Sequence, residues 1–225
     1  MRALLDDNGV AVAEIDGRMD WLPGDTGAPS IADFVGAAAA LGARSMTVLE
    51  TRGRSVGTDI PLDVVVRAFG AICDRAADHG VLVHLEYFPW SGIASFASAH
   101  GIAAAAGRVN GGVMVDVWHH VRGHDRGVLD AQVACASVLA VQVSDIAPTR
   151  HDDVRVEAMH HRVLPGGGAR GTGALLRALS DQGCVAPMEV EVYSDELARL
   201  APAVAAQRAG DALRALLVEA GLRTR

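Results

Sequence analysis

The chain has 225 residues, half of them hydrophobic, with a formal net charge of −7 and three cysteines. That length gives one domain with a large core, and the acidic balance, with no basic stripe and few aromatics, argues against nucleic acid as a partner. All 20 basic residues are Arg, so lysine chemistry is excluded: no Schiff-base aldolase, no pyridoxal attachment, no phosphate-loop Lys.

No apolar run approaches the ~18 residues of a membrane span. The opening MRALLDDNG lacks the apolar core of a signal peptide, so the cytoplasm is the expected compartment. Cys73, Cys135 and Cys184 are far apart in apolar surroundings and are expected as buried free thiols.

In chain order, alternation of apolar residues predicts strands over 10–15, 45–50, 81–88, 112–118, 138–145 and 188–193, with a weaker one near 160–164. Helices are expected over about 30–42, 62–79, 92–106, 125–136, 170–182 and 195–220. Pro29 and Pro61 mark helix starts; Gly80, Gly107 and Gly183 mark helix ends. Apolar strands alternating with helices describe an α/β fold with a parallel sheet covered by helices. Carboxylates near the C-terminal ends of several strands point to a TIM-type (β/α) barrel. The first strand and most of the first helix of such a barrel have no counterpart, so residues 1–225 read as one N-terminally incomplete barrel domain. An open seam exposes sheet edges, which favours pairing with a second copy as a homodimer.

Side chains alternate between the two faces of a strand. In 81–88 that puts His84 and Glu86 on the face opposite Val81, Val83 and Leu85. In the next strand Met114 and Asp116 face inward; then Ala140, Gln142 and Ser144; then Glu189, Glu191 and Tyr193. Glu86, Asp116, Gln142 and Glu191 thus converge near one end of the sheet. Carboxylates gathered in an apolar barrel repel one another unless something neutralises them. A divalent metal does so, and oxygen donors without thiolates favour Mg²⁺ or Mn²⁺. The alternative is that each carboxylate is paired with an Arg or lies on a solvated rim. One layer below, His84 and Glu189 are candidates for a buried pair across the barrel, and Asp145 for orienting a ligand or capping the next element.

The strings HLEYFPWSGI, GGVMVDVWHHVRG, VLAVQVSDIAP, HHRVLPGGG and PMEVEVYSDEL occur in the order in which xylose isomerase-like TIM barrels carry them. The chain resembles that family over about 10–200, particularly the sugar phosphate isomerase/epimerase branch, with some likeness to 3-dehydroshikimate dehydratases. The resemblance implies a ligand set of Glu86, Asp116, Gln142 and Glu191, and a role in substrate contact or metal support for His119. It also implies a full eight-strand barrel in relatives, and a side chain in the PG-x-G turn where this chain has Gly167. Arg162, whose guanidinium grips oxygen pairs, is the candidate substrate-binding residue. His161 and His160 flank it, although either alone reads as structural. Trp90 and Phe88 suit an apolar substrate wall or, equally, core packing. His120 and His124 read as surface residues, and the GGG of 166–168 as a turn rather than a phosphate loop.

The resemblance implies a divalent-metal-dependent enzyme acting on a small polyhydroxylated carbonyl compound, a sugar or sugar phosphate. Such a reaction is isomerisation or epimerisation by proton transfer through an enediolate, with Glu86 and Glu191 as the acid/base pair. The alternatives are a lyase that expels a β-hydroxyl from a hydroxy-keto acid, suggested by Gln142 with Arg162 for a carboxylate, and a degenerate, non-catalytic barrel. Endonuclease-like phosphodiester cleavage is disfavoured by the acidic charge and the scarcity of His ligands.

Overall fold

The computed structural model describes residues 1–26, 30–123, 137–168 and 171–222. It divides into two compact units, Met1–Met114 and Val115–Arg225. The expected helix at 125–136, Cys135, His124 and Pro29 lie outside the described residues.

The first unit opens with helix α1 (Arg2–Asp7), which buries no side chain but donates a hydrogen bond from Arg2 Nη1 to the Leu41 carbonyl at 2.7 Å. Then come β1 (Glu14–Arg18), α2 (Ile31–Leu41), β2 (Ser45–Leu49), α3 (Leu62–Ala77), β3 (Leu82–Glu86), α4 (Phe96–Ala106) and β4 (Gly111–Asp116), whose last two residues belong to the second unit. β1 pairs with β2, β2 with β3, and β3 with β4, all parallel.

Local chemistry sets these boundaries. Ser30 with Asp33 and Ser95 with Ser98 form reciprocal capping boxes at the starts of α2 and α4. Gly42 and Gly107 end the same helices in the left-handed region, at φ 66° and 63°. α3 buries Val65, Phe69, Ile72, Cys73 and Ala76, an i, i+4, i+7, i+8, i+11 stripe. All five residues of β2 are buried, as expected of a parallel strand covered on both faces.

The second unit continues with α5 (Val117–Arg122), β5 (Val138–Val143), α6 (Val154–His160), α7 (Thr172–Asp181), β6 (Met188–Val190), α8 (Asp195–Ala198) and α9 (Pro202–Glu219). β5 and β6 pair parallel, Gln142 opposite Glu189. Within the first unit the strands neighbour one another in chain order, from β1 to β4.

Several expectations need correcting. The first strand lies at Glu14–Arg18, not 10–15, because Gly9 turns the chain at φ 65° and 10–13 follow as coil. The strand expected over 112–118 stops at Asp116, which caps a helix. The weak strand near 160–164 is not a strand. Helix α6 occupies Val154–His160, and only isolated antiparallel bridges follow, His161 with Ser194 and Val163 with Asp145. The helix expected over 195–220 breaks into α8 and α9, with Pro202 opening the second, where its missing N–H costs nothing. His120 is buried rather than on the surface.

Candidate active site

The second unit gathers its polar chemistry around Arg162, which is buried despite its charge. Its backbone is held on both sides. The Arg162 amide donates to the Tyr193 carbonyl at 3.0 Å, and the Val163–Asp145 bridge fixes the next residue. Nε donates to the Ala158 carbonyl at the end of α6 (2.9 Å). Nη1 donates to Asp116 Oδ2 at 2.6 Å and to Glu191 Oε2 at 2.9 Å, with Ser144 Oγ a longer contact at 3.5 Å. The guanidinium carbon stands 5.2 Å from the Trp118 ring centre and 5.4 Å from that of Tyr193, within cation–π range of both.

Asp116 and His119 owe their meeting to the sequence DVWH. Asp116 ends β4 and is the N-cap of α5, accepting the His119 amide on Oδ1 at 3.1 Å. That turn brings His119 Nε2 to 3.7 Å from Asp116 Oδ2. Nε2 also lies 3.1 Å from Arg162 Nη2. A guanidinium has no acceptor, so Nε2 accepts and its lone pair faces the cation. Burial, the largest cause, pushes the His119 pKa down to about 4; Arg162 adds to this and Asp116 opposes it. The imidazole is therefore neutral at pH 7. For Asp116 burial works to raise the pKa, but Arg162, His119 and hydrogen bonding with Glu191 and Arg162 hold it down at about 2.

Glu191 lies just past β6, and its amide continues the ladder by donating to the Val143 carbonyl at 3.2 Å. The β5–β6 register puts Gln142 level with Glu189, so along these strands Ser144, not Gln142, stands at the level of Glu191. Gln142 is buried in β5. His161 sits on the exposed side, its ring stacked on His151 with centroids 5.3 Å apart, while His160 contacts Asp195 at 3.0 Å. Asp145 caps neither following helix and instead ties down the glycine-rich turn. Its carboxylate accepts from the Ile146, Gly166 and Gly168 amides and from Thr172 Oγ1 at 3.1, 3.0, 3.3 and 2.7 Å. Two amides of the glycine-rich turn thus already serve an internal anion, which agrees with a turn and not a phosphate loop, although a cavity of about 490 Å³ lies beside them. Nearby, half-buried Arg122 and buried Glu157 form an ion pair joining α5 to α6.

In the first unit Glu86 ends β3, buried, opposite Met114 of β4; Asp116 is two residues further along that strand. His84 Nε2 lies 3.4 Å from Glu14 Oε2. Phe88 is buried and contacts half-buried Trp90 at 5.0 Å between ring centres.

That loop is tied down by Glu50. Fully buried at the end of β2, Glu50 accepts hydrogen bonds from the Arg52, Gly53 and Gly92 amides and from Arg54 Nε, at 3.0, 2.9, 3.0 and 3.1 Å. Ser91 Oγ donates to the Glu50 carbonyl at 2.7 Å. Arg54 also holds Asp25 through paired hydrogen bonds of 2.9 and 3.2 Å.

Sequence reasoning placed Ser144 inward but did not single out Glu50 or Trp118. Glu50 had a visible signal, a carboxylate at the end of an apolar strand like Glu86 and Asp116. Trp118 and the second bond to Arg162 had none, since they depend on how 154–163 folds back.

Asp116, Glu191 and His119 offer two carboxylates and a neutral imidazole lone pair, all directed at one cationic group. That donor set suits a divalent cation, and Asp116 and Glu191 are the residues of this unit that would hold it, with His119 beside them.

The sequence pattern of the xylose isomerase-like TIM barrels matches residues 1–216. The chain belongs to that family. Among solved structures, the IOLI protein with a bound zinc atom is similar at a TM-score of 0.82 and 18% identity, over 97% of this chain and 81% of that one. An L-ribulose 3-epimerase is similar at 0.73 and 16%, over 97% and 79%. A 3-keto-D-glucoside 4-epimerase from E. coli, in its apo form, is similar at 0.67 and 19%, over 96% and 82%. At these identities the likeness of this family member to them is one of fold. No curated protein matches the sequence. Among the described residues no helix is long and apolar enough to cross a membrane.

Proposed function

We propose that this protein is a divalent-metal-dependent isomerase or epimerase of a sugar or sugar phosphate, working by proton transfer at the carbon next to a carbonyl. The observation that carries the reading is the convergence of Asp116, Glu191 and His119 on one cationic position, in a family whose fold is shared by two epimerases.

Asp116 and Glu191 would hold the ion, joined by Glu86 and Gln142 on the pattern the family resemblance implies. When bound, the ion supplies Lewis-acid polarisation of a carbonyl and its neighbouring hydroxyl, which makes the adjacent C–H acidic. Mg²⁺ or Mn²⁺ suits the oxygen donors; neutral His119 widens the set to Zn²⁺. Glu191 is assigned removal of the proton from one side of that carbon and Glu86 its return to the other. Arg162 orients substrate oxygens, helped by His161 at its exposed edge. His119, being neutral, accepts or donates a hydrogen bond without adding charge, and Trp90 with Phe88 provides an apolar wall. We take residues 1–225 as one barrel domain in the cytoplasm, where the free thiols of Cys73 and Cys184 are at home. A homodimer is the proposed assembly, to be checked by sedimentation.

Metal content and thermal stability of the parent, Glu86→Ala and Glu191→Ala proteins test the site first. One ion per parent chain, with stabilisation lost in both variants, supports it; a parent that binds no divalent ion overturns it. Incubating the loaded protein with ketoses and their phosphates in D₂O then tests the chemistry. Deuterium entering a substrate C–H without loss of water is the epimerase outcome. A conjugated, ultraviolet-absorbing product would instead favour the lyase reading raised by Gln142 and Arg162. Neither change in a loaded protein rejects both.

A further inference from the structure

We infer that Arg162 is a built-in counter-cation that locks the metal site until a divalent ion displaces it. The inference rests on the metal-site reading above and adds to it a built-in competitor.

A guanidinium meant only for substrate would present its Nη hydrogens to open space. Here Nη1, which carries two hydrogens, gives them to Asp116 and Glu191 at 2.6 and 2.9 Å. Nη2 faces the His119 lone pair at 3.1 Å, and Nε is taken by the Ala158 carbonyl. The same donor atoms that would hold the ion are therefore engaged by Arg162, buried at 2% exposure between Trp118 and Tyr193.

The logic is electrostatic. Two carboxylates in a buried site need positive charge whether or not metal is present, and leaving them bare is costly. Arg162 meets that need in the metal-free protein. A dication seated on Asp116 Oδ2 and Glu191 Oε2 repels the guanidinium that holds the same two oxygens, so loading moves Arg162 off them. The freed Nη groups then become available to substrate oxygens. Binding is thus ordered, metal before substrate, because Nη1 has no hydrogen left for substrate while it holds both carboxylates. Such a lock weakens apparent metal affinity by the fraction of unlocked molecules. If about one molecule in a hundred is unlocked, the loss is about a hundredfold.

The test is metal binding, not turnover. Chelator-treated parent and Arg162→Gln proteins are titrated calorimetrically with Mg²⁺ and with Zn²⁺. The expected result is at least about tenfold tighter binding by the variant. In parallel, a Trp21→Phe/Trp90→Phe protein retains Trp118 as the reporter of Arg162, and its fluorescence should change over the metal concentrations at which heat is released. If Arg162→Gln does not fold, this second measurement decides. A fluorescence change that tracks binding supports the lock, and binding with a silent Trp118 overturns it. Variant affinity equal to or weaker than the parent's overturns the lock while leaving the metal site standing. No binding by either protein removes the metal reading, and the lock with it.

Discussion

Asp116 accepts a hydrogen bond on each of its two oxygens from groups with different jobs: Oδ1 caps α5 through the His119 amide, and Oδ2 takes Arg162 Nη1 at 2.6 Å. One buried carboxylate thus fixes both where β4 gives way to α5 and where the Arg162 guanidinium points.

Replacing Asp116 by Asn separates those roles, because an amide oxygen still caps a helix but carries no charge. The expected cost is about 3 kcal/mol, typical of leaving one partner of a buried ion pair uncompensated. Asp116→Ala should lose about a further 1 kcal/mol with the cap. Urea unfolding of the metal-free proteins measures both. Equal stability of Asn and Ala variants would mean that the cap contributes nothing.

Acid should destabilise the metal-free protein in two stages. Burial holds the folded His119 pKa at about 4, below the ordinary 6.5 of a histidine, so its neutral form favours folding above pH 6.5 and that contribution is lost as pH falls toward 4. Asp116 has a folded pKa of about 2 against 3.8. Its contribution, about 2 kcal/mol, is present above pH 4 and is lost as pH falls through 2. Melting temperature against pH checks this, and His119→Gln should remove the upper stage while keeping the lower.

The sequence made some of this legible and hid the rest for physical reasons. The short apolar runs LVHLE and VMVD located β3 and β4, because parallel strands covered on both faces are short and mostly apolar. The positions of Glu86, Asp116 and Glu191 followed directly. The partner of Asp116 did not follow, because the stretch near 160–164 reads locally as a weak strand, whereas the helix Val154–His160, capped by Asp153, runs into it. Only that turn returns Arg162 to the site. That Glu14 stands beside His84 was hidden for a similar reason: alternation gives the face of a side chain, not which residue of another strand shares its level. The register of β1, shifted by the coil after Gly9, is what delivers Glu14.

Glu50 governs the loop carrying Trp90. Glu50→Ala removes the acceptor for the Gly92, Gly53 and Arg52 amides and leaves Arg54 with Asp25 alone. A loss of about 2–4 kcal/mol is expected, typical of breaking a buried hydrogen-bonded charge network. Proteolytic cleavage should appear within 88–92 before global unfolding. Glu50→Gln keeps one acceptor oxygen and should fall between parent and Ala. Cleavage elsewhere first would show that Glu50 does not govern this loop.

Two glycine substitutions should move stability in opposite directions. Gly36 lies exposed within α2, and a Cβ there meets nothing within 4 Å. Gly36→Ala should therefore stabilise by about 0.5–1 kcal/mol through helix propensity and reduced freedom of the unfolded chain. At Gly92 a Cβ would stand 1.8 Å from the Arg54 carbonyl oxygen and 3.1 Å from Glu50 Oε2. The neighbour is backbone in a loop already pinned by Glu50, so it cannot retreat without breaking those hydrogen bonds. Gly92→Ala should cost about 2 kcal/mol or more. Chemical denaturation of the two variants beside the parent gives both signs, and a neutral Gly92→Ala would show that the 52–54 and 91–92 segments are not held in contact.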